Sequence, residues 1–280
     1  MFYNDNYFNY INMKIGIIGY GFVGKATELL DKENCLIYDI IPENRNCDLE
    51  LLVKEVEIIF ICVPTPMFKN GKCCTKIVEK VISDIRLVKE DSLIIVRSTV
   101  PIGFCEKMKV YFMPEFLTEK NWLNDFKKCN CWIFGGEDIY FKEMIQNVID
   151  NAYNKGFIDY NKVKFCSTSV AEGVKMFRNN FLATKVAFCN EFYDYCDIKG
   201  VKYDEVRKLA VMDNRIGESH SFVPGFDGKR GFGGTCFPKD LESILYDLGE
   251  KSIILDAVKK RNLKDRMEKD WENLYGRSII

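Results

Sequence analysis

The stretch KIGIIGYGFVGKA, beginning at Lys14, constrains the fold of this chain more than any other. A short aliphatic run leads directly into G-x-G-x-x-G, with glycines at positions 19, 21 and 24. In this motif the first glycine permits a tight turn, and the second lets a pyrophosphate approach the backbone. The third lets the following helix pack closely on the strand. The stretch therefore predicts a first β-strand, a phosphate-binding loop and a helix, in that order.

An acidic residue stands at the distance that this motif requires. The next aliphatic run, CLIYDI, ends near Asp39, twenty residues after Gly19. A carboxylate there can hold both ribose hydroxyls and would repel a 2′-phosphate, which favours NAD over NADP. The predicted cofactor contacts in this region are Gly19, Tyr20, Gly21, Phe22, Val23, Gly24 and Asp39.

The pattern of apolar residues divides the chain into two parts. Six short aliphatic runs, from KIGIIG to CWIFGG, alternate with amphipathic stretches, as in a parallel sheet covered by helices on both faces. After about residue 167 the strand pattern stops. We therefore predict an α/β protein with an N-terminal extension at 1–12, a Rossmann NAD-binding domain at 13–167 and an all-α central domain at 168–280.

The second part opens with one long predicted helix. In STSVAEGVKMFRNNFLATKVAFCNEFYDYCDIKG the apolar residues recur at helical spacing over about thirty residues. Ser169 and Glu172 form the pattern of a capping box, and Gly200 supplies a stop. KYDEVRKLAVM, the stretch after Cys236 and SIILDAVKKRNLKDRMEKDWENLY predict further helices.

Composition excludes several classes of partner. Lys and Arg number 40 against 41 Asp and Glu, so no basic field predicts binding to nucleic acid or to a membrane surface. The basic run Lys259 to Arg261 is interpreted as a solvated helix face. No signal peptide or membrane span is recognisable, and 12 dispersed cysteines favour reduced thiols in a cytoplasmic compartment. The single histidine, His220, has no evident ligand set, so we predict no metal.

One cysteine stands in an unusual setting. In GKRGFGGTCFPKDLESI, residues 228–244, Pro238 fits the first turn of a helix, which places Cys236 just outside that helix's N-terminus. The positive end of the helix dipole and Lys239 both stabilise a thiolate there. A single cysteine is more often a buried structural residue, so its neighbours decide between the two interpretations.

Five motifs in the same order then carry a family resemblance. They are GYGFVG, VPTP at Val63, STVPIG at Ser98, PEFLTE at Pro114, and AEGVKMFRNNFLA running on to GFGGTCFPKD. In these motifs the chain resembles the UDP-glucose 6-dehydrogenase family, the nucleotide-sugar dehydrogenases that include GDP-mannose dehydrogenase. The resemblance implies NAD-dependent oxidation of a nucleotide sugar, with UDP-glucose to UDP-glucuronate as the first expectation. It further implies two hydride transfers through a cysteine thiohemiacetal and a thioester.

The resemblance also implies roles for individual residues. Cys236 matches the family nucleophile, and Lys175 and Asn179 match groups that stabilise the developing oxyanion. Thr99, Glu115 and Asp240 match positions credited with base or water-orienting work, and which carboxylate accepts the proton stays open. Further cofactor contacts are expected from Val63, Pro64, Thr65, Ser98, Thr99 and Lys239. Substrate contacts are expected from Glu115, Phe116, Leu117, Lys175, Asn179, Arg215, Gly233 and Cys236.

By the same resemblance, Arg215 reaches the substrate of the neighbouring subunit, which predicts a homodimer built on the helical domain. Two departures stand out: an enlarged loop, SHSFVPGFDGKR, and the expectation of a short form without the second Rossmann-like domain that holds the nucleotide in typical members. Two alternatives therefore remain. One is a 3-hydroxyacid-type NAD dehydrogenase, which leaves Cys236 unexplained, and the other is a non-catalytic NAD-binding regulatory protein.

Overall fold

The computed structural model describes residues 13–280, so the predicted N-terminal extension at 1–12 lies outside the described residues. The described chain divides into two compact units. The first runs up to Thr65 and resumes over Thr75–Lys175, and the second consists of Pro66–Cys74 and Met176–Ile280. The chain passes from the first unit to the second within one continuous helix, Thr168–Ile198.

A single sheet organises the first unit. Its strands are β1 (Ile15–Ile18), β2 (Leu36–Tyr38), β3 (Ile58–Ile61), β4 (Leu93–Val96), β5 (Tyr111–Phe112), β6 (Trp132–Gly135) and β7 (Val163–Cys166). Their order is β2-β1-β3-β4-β5-β6-β7. The order reverses between β1 and β3, and in open α/β sheets ligands bind at such a switch point, outside the carboxyl ends of the strands.

The predicted α/β sheet with a long helix after it is confirmed, with two corrections. Pairing is parallel throughout except between β5 and β6, where Phe112 pairs with Gly135 in an antiparallel sense. The strand β7 extends the sheet beyond β6 and was missed, because the exposed Lys164 interrupts the short run VKFC, whose other three residues are only half-buried. Edge strands are exposed on one side and need fewer apolar residues.

Burial explains why short aliphatic runs became strands. All four residues of β1 and all four of β3 are buried. Alternate residues of β1 face different cores, with Ile15 and Ile17 in one apolar cluster and Ile18 in another. Because side chains alternate across a strand, these two clusters lie on opposite faces of the sheet. The sheet is therefore covered on both faces, as the unbroken runs predicted.

Ten α-helices accompany the sheet within residues 13–280. They are α1 (Phe22–Thr27), α2 (Leu49–Glu55), α3 (Lys76–Val88), α4 (Phe104–Met108), α5 (Trp122–Lys127), α6 (Ile139–Asn154), α7 (Thr168–Ile198), α8 (Tyr203–Ala210), α9 (Phe237–Leu248) and α10 (Ile254–Asp265). In α3 the buried residues Val78, Ile82 and Ile85 recur at helical spacing. Over this part of the chain, no helix combines the length and apolar character that a bilayer span requires.

The long helix α7 has 31 residues, as the periodicity predicted, but it begins differently. The predicted capping box is wrong: Ser169 lies inside the helix, and the Ser167 hydroxyl accepts the hydrogen bond from the Val170 N–H at 3.3 Å. The predicted stop is confirmed, since Gly200 adopts φ +68° and the Val201 N–H donates to the Cys196 carbonyl at 2.9 Å.

Glu172 caps a different helix from the one predicted. Its carboxylate is fully buried and accepts hydrogen bonds from the Gly103 N–H at 2.6 Å and the Cys105 N–H at 2.8 Å. These amides belong to the N-terminus of α4, where the helix dipole favours negative charge. Glu172 thereby joins the start of α7 to α4 within the first unit.

Of two other helix predictions in the second unit, one is confirmed and one gives too long a helix. Cys236 is the N-terminal capping residue of α9 and Pro238 lies in its first turn, as predicted. The last predicted helix is shorter than expected, because α10 ends at Asp265 and a short 3-10 turn follows over Asp270–Asn273. The core of this unit gathers around Ala183, Ala187 and Phe232.

Replacing Glu172 by alanine tests the link between α7 and α4. The change leaves the buried N–H of Cys105 and the half-buried N–H of Gly103 without their acceptor, so we expect the free energy of unfolding to fall by about 2 kcal/mol. Urea unfolding followed by circular dichroism measures the loss. Glu90→Ala, at an exposed position, is the matched control and should shift the value by less than about 0.5 kcal/mol. Equal stability of the two variants would contradict the assigned role.

Candidate active site

The glycine loop after β1 has the backbone geometry that the motif requires. Gly19 adopts φ +92°, and a Cβ there would lie 2.8 Å from the Cys62 carbonyl oxygen. A Cβ on Gly24 would lie 2.2 Å from the Gly19 carbonyl oxygen, so α1 packs directly on the loop. At Gly21 a Cβ would meet nothing within 4 Å. The second glycine therefore faces open space, where a pyrophosphate can approach the backbone.

Asp39 stands beside this loop in a fixed orientation. Its carboxylate accepts a hydrogen bond from the Tyr20 N–H at 2.6 Å and another from the Ile41 N–H at 2.8 Å. These contacts hold the Asp39 carboxylate directly after β2. In the sheet, β2 lies beside β1, and β1 is one of the two strands at the switch point. The position suits a carboxylate that receives the ribose hydroxyls of a dinucleotide.

The loops after β3 and β4 are tied to one another at the same edge of the sheet. The Ser98 hydroxyl donates to the Val63 carbonyl at 2.6 Å, and the Thr65 hydroxyl donates to the Thr99 carbonyl at 2.7 Å. Pro64 lies between the two joined positions of the first loop. The structure thus brings together four predicted cofactor residues, Val63, Thr65, Ser98 and Thr99. They lie in the loops that follow β3 and β4.

A buried ion pair completes the polar groups of the first unit. The Lys175 ammonium donates to the Glu115 carboxylate at 3.0 Å and to the Glu115 carbonyl at 2.6 Å. Both side chains are almost fully buried, and the second carboxylate oxygen of Glu115 accepts the Leu117 N–H. Phe116 and Leu117 are half-buried beside it. Lys175 is therefore held in a defined position instead of facing solvent.

In the second unit, Cys236 occupies the start of α9. Its carbonyl accepts the Asp240 N–H at 2.9 Å, which closes the first turn of the helix. Its sulfur lies 3.5 Å from the Thr235 hydroxyl oxygen. A thiol at this position meets the positive end of the helix dipole, which favours the thiolate form.

A buried polar network follows the cysteine in the first turn of α9. The Asp240 carboxylate accepts the Lys239 ammonium at 2.6 Å on one oxygen and the Asn179 amide at 2.6 Å on the other. Asp240 is 1 % exposed, and Lys239 and Asn179 are also buried. Asn179 stands four residues after Lys175 on α7, so these two side chains lie on one face of that helix, each with its own carboxylate partner.

The charge state of Lys239 reflects its neighbours. Burial by itself would lower the pKa of the Lys239 ammonium. Negative charge on Asp240, and on the thiols of Cys73 and Cys236 when ionised, outweighs burial and raises that pKa above its ordinary value. Lys239 therefore stays positive at neutral pH. A positive charge near Cys236 favours a reactive thiolate.

Two predicted substrate residues stand apart from this network. Arg215 lies on the exposed loop after α8, where its guanidinium pairs with Asp213 at 2.6 Å. Gly233 lies in the glycine-rich loop before Cys236, and side chains fill the space beside it. A Cβ there would lie 2.3 Å from an Asp270 oxygen and 2.5 Å from the Arg266 Nε. On that side of Gly233, the side chains of Asp270 and Arg266 therefore fill the space, and no substrate can occupy it.

Several polar residues of the second unit were missed by sequence reasoning. Asn262 and Arg266 are buried on α10 or directly after it, and Arg261 pairs with Asp194 at 2.7 Å and with Asp265 at 2.6 Å. The interpretation of Lys259 to Arg261 as a solvated face is therefore wrong for Arg261. A usable signal existed, because Val258, Asn262 and Arg266 recur every four residues on one helical face.

The described residues contain no group of three or more His, Cys, Asp and Glu side chains that could hold a metal ion. None of the twelve cysteines, all of which lie in this part of the chain, is joined in a disulfide.

Two family models match the chain. Residues 44–153 match the NAD binding domain of the UDP-glucose/GDP-mannose dehydrogenase family. Residues 169–264 match the central domain of the same family. The first match includes β3, β4 and the loops after them, and the second includes most of α7 together with α8, α9 and α10.

Individual relatives agree with the family models. A UDP-glucose 6-dehydrogenase of Pseudomonas aeruginosa is 30% identical over 233 residues, which cover 76% of this chain and 49% of that enzyme. The chain thus spans about half the length of this relative. A UDP-glucose dehydrogenase structure from Pyrobaculum islandicum matches with a TM-score of 0.76 at 24% identity, covering 90% of this chain and 68% of that one.

A second type of enzyme shares the fold. A 3-hydroxyisobutyrate dehydrogenase of Mycobacterium tuberculosis matches with a TM-score of 0.68, covering 92% of this chain and 95% of that one. Its sequence identity is only 13%, so the match concerns the fold alone.

Because Gly21 faces open space and Gly24 makes a tight contact, we expect alanine to have different effects on stability at these two positions. Gly21→Ala should leave the free energy of unfolding within about 0.5 kcal/mol, but it should weaken NAD binding at least about tenfold by blocking the pyrophosphate. Gly24→Ala should lower the free energy of unfolding by more than about 2 kcal/mol through its clash with the loop. Urea unfolding and NAD titration by calorimetry measure both effects. Equal losses of stability in the two variants would refute the assignment.

Proposed function

The chain belongs to the UDP-glucose/GDP-mannose dehydrogenase family, and from that premise we propose that it oxidises the C6 alcohol of a nucleotide sugar, UDP-glucose first, to a carboxylate with two NAD+. The observation that carries this proposal is the thiol of Cys236 at the start of α9, followed by the buried network of Lys239, Asp240 and Asn179. A dehydrogenase that stops at an aldehyde or ketone needs no such nucleophile.

The cofactor half of the proposal rests on the first unit. NAD+, when bound, accepts the hydride in each oxidation. The Gly21 backbone leaves room for its pyrophosphate, and the Asp39 carboxylate receives its ribose hydroxyls. A 2′-phosphate would meet the negative charge of Asp39, so NAD is expected over NADP.

The first oxidation removes a hydride from C6 and a proton from the C6 hydroxyl, which leaves an aldehyde. Negative charge develops on the C6 oxygen as the proton departs. Lys175 is positive and fixed by Glu115, and Asn179 is fixed by Asp240. We assign these two groups to stabilising that oxygen, because preorganised donors lower the barrier without reorganising during the reaction.

The later steps use the thiolate of Cys236. Its sulfur forms a bond to the aldehyde carbon, and the oxygen takes up a proton to give a thiohemiacetal. Loss of a second hydride and of that proton leaves a thioester, and water then cleaves the carbon–sulfur bond to release the carboxylate and regenerate the thiol. In sum, one alcohol, two NAD+ and one water give one carboxylate, two NADH and three protons.

We also propose a homodimer that forms through α7. Four aromatic residues on this helix are exposed within the described chain: Phe177 at 70%, Phe181 at 60%, Phe188 at 64% and Tyr195 at 52%. The rings of Phe177 and Phe181 stack 6.0 Å apart. Such a row of large apolar side chains is rare on a monomer and suits a second copy of the same helix. Arg215, exposed on its loop, would then be available to the partner's substrate.

Counting NADH per sugar tests the proposed reaction. We expect two NADH for each UDP-glucose consumed by the wild-type chain, because the aldehyde is captured and oxidised again. In Cys236→Ser the thioester cannot form, so we expect turnover to fall by at least about a hundredfold. Absorbance at the NADH band and mass spectrometry of the sugar product measure the two quantities.

The other candidates give different results in the same assay. A 3-hydroxyacid dehydrogenase, which the shared fold allows, would yield one NADH from a simple 3-hydroxyacid and would be unaffected by Cys236→Ser. NAD binding without turnover of any substrate would favour a regulatory protein. Cys189→Ser is the matched control, because Cys189 is a buried core residue of the same unit.

The proposed dimer is tested by placing a charge in the aromatic row. Phe181→Glu should convert the dimer to a monomer at micromolar concentration, since a carboxylate would be desolvated in an apolar interface. Sedimentation velocity measures the assembly state. Asp197→Ala changes an exposed residue on another side of α7 and should leave the dimer intact. A monomeric wild-type chain, or a dimeric Phe181→Glu variant, would overturn the proposed interface.

A further inference from the structure

The backbone just before Cys236 is held by a side chain from another helix. Asn262 of α10 accepts the Phe232 N–H at 2.7 Å and donates its own amide N–H to the Phe232 carbonyl at 2.9 Å. The side-chain amide of Asn262 thus satisfies both the backbone N–H and the backbone carbonyl of Phe232. Asn262 is 4% exposed, so water does not compete for these bonds.

Arg266, one helical turn further along, closes on the same loop. Its guanidinium donates to Asp227 at 2.6 Å and to Asp270 at 3.0 Å. Asp270 in turn accepts the Gly234 N–H at 3.3 Å. These contacts occupy the space beside Gly233 that any larger residue would need. The glycines of this loop therefore serve its close packing against α10 and the turn that follows.

The loop is anchored at its other end as well. Arg230 donates to Asp194 at 2.7 Å and to the Asn190 carbonyl at 3.0 Å, both on α7. Arg261 of α10 donates to the same carboxylate of Asp194 at 2.7 Å. The loop from residue 230 to residue 235 is thus held by α7 at Arg230 and by α10 at Phe232.

Phe232 contacts the start of α9 directly. The Phe232 ring packs edge-on against the Phe237 ring, with centroids 5.9 Å apart. Phe237 is the first residue of α9 and follows Cys236 immediately. Phe232 is itself buried among Ala183, Ala187 and Leu241. A shift of the Phe232 backbone would therefore move Phe237 and change where the sulfur of Cys236 lies.

We propose that Asn262 is a positioning residue for Cys236. It acts through Phe232 and Phe237: it fixes the backbone that leads into α9 and so holds the thiol at the helix N-terminus, where the thiolate is favoured. The assignment of a nucleophilic role to Cys236 rests on the proposed function, but the position of the thiol can be measured without turnover. A residue that only fills the core would need no paired donor and acceptor, and leucine has the same branched heavy-atom skeleton as asparagine without either hydrogen-bonding group.

Two variants of Asn262 test the proposal, with one control. Asn262→Leu keeps the branched heavy-atom skeleton and removes both hydrogen bonds, whereas Asn262→Asp keeps the acceptor for the Phe232 N–H. Lys264→Leu introduces the same side chain at an exposed position of α10. The first readout is the rate at which iodoacetamide alkylates Cys236, followed by mass spectrometry of its peptide. The second is the kcat and the KM for NADH formation, together with NAD affinity.

We expect Cys236 alkylation to slow by at least about threefold in Asn262→Leu and by less in Asn262→Asp, because the thiol leaves the helix N-terminus. We expect kcat to fall by about tenfold or more with KM and NAD affinity within about twofold, since small misplacements of a nucleophile reduce the chemical step. Lys264→Leu should match the wild type in the alkylation rate, kcat, KM and NAD affinity.

The outcomes separate this inference from the proposed function. If Asn262→Leu does not fold, Asn262→Asp decides by the same measurements. A folded Asn262 variant whose Cys236 is alkylated at the wild-type rate would overturn the positioning role. If the wild type oxidises no nucleotide sugar, the proposed function fails, and slowed alkylation in the Asn262 variants still supports the positioning of the thiol.

Discussion

The carboxylate of Asp240 is the constraint on which the second unit depends. It is buried, and each of its oxygens holds a different group: the Lys239 ammonium and the Asn179 amide. A buried charge left without its partner is strongly destabilising, so none of the three can move independently. Because Asp240 and Lys239 lie in the first turn of α9 and Asn179 lies on α7, the network fixes where α9 begins. The position of Cys236 follows from that start.

The first unit reaches a defined geometry by different means. Its dinucleotide loop relies on missing side chains: a Cβ at Gly19 or Gly24 would collide with backbone oxygens, and the absence of one at Gly21 leaves open space. Its charged groups are held by specific partners: Asp39 by backbone amides and Lys175 by Glu115. A surface for binding a large anionic cofactor needs exposed backbone donors, whereas a reactive thiol needs a fixed electrostatic setting.

Sequence reasoning succeeded where the determining contacts are local. The G-x-G-x-x-G turn, the position of Pro238 and the length of α7 all follow from residues within one or two turns of each other. It failed at Glu172, which fits a capping box by spacing but caps α4, 67 residues away from it at Cys105. It also missed β7, whose pairing with β6 depends on the sheet and not on its own composition. Spacing identifies a donor or acceptor, and only the fold selects its partner.

The amino-acid sequence by itself determined the order of the elements, the cofactor loop with its acid, and the cysteine at a helix start, because each depends on local backbone preferences. The tertiary structure alone decided which charges meet. It paired Lys175 with Glu115, gave Asp240 two partners, and assigned Asn262 to the backbone of Phe232. These partners are 30 or more residues apart in all but one case, the adjacent Lys239 and Asp240. Burial makes such pairs obligatory, and burial is a property of the folded chain.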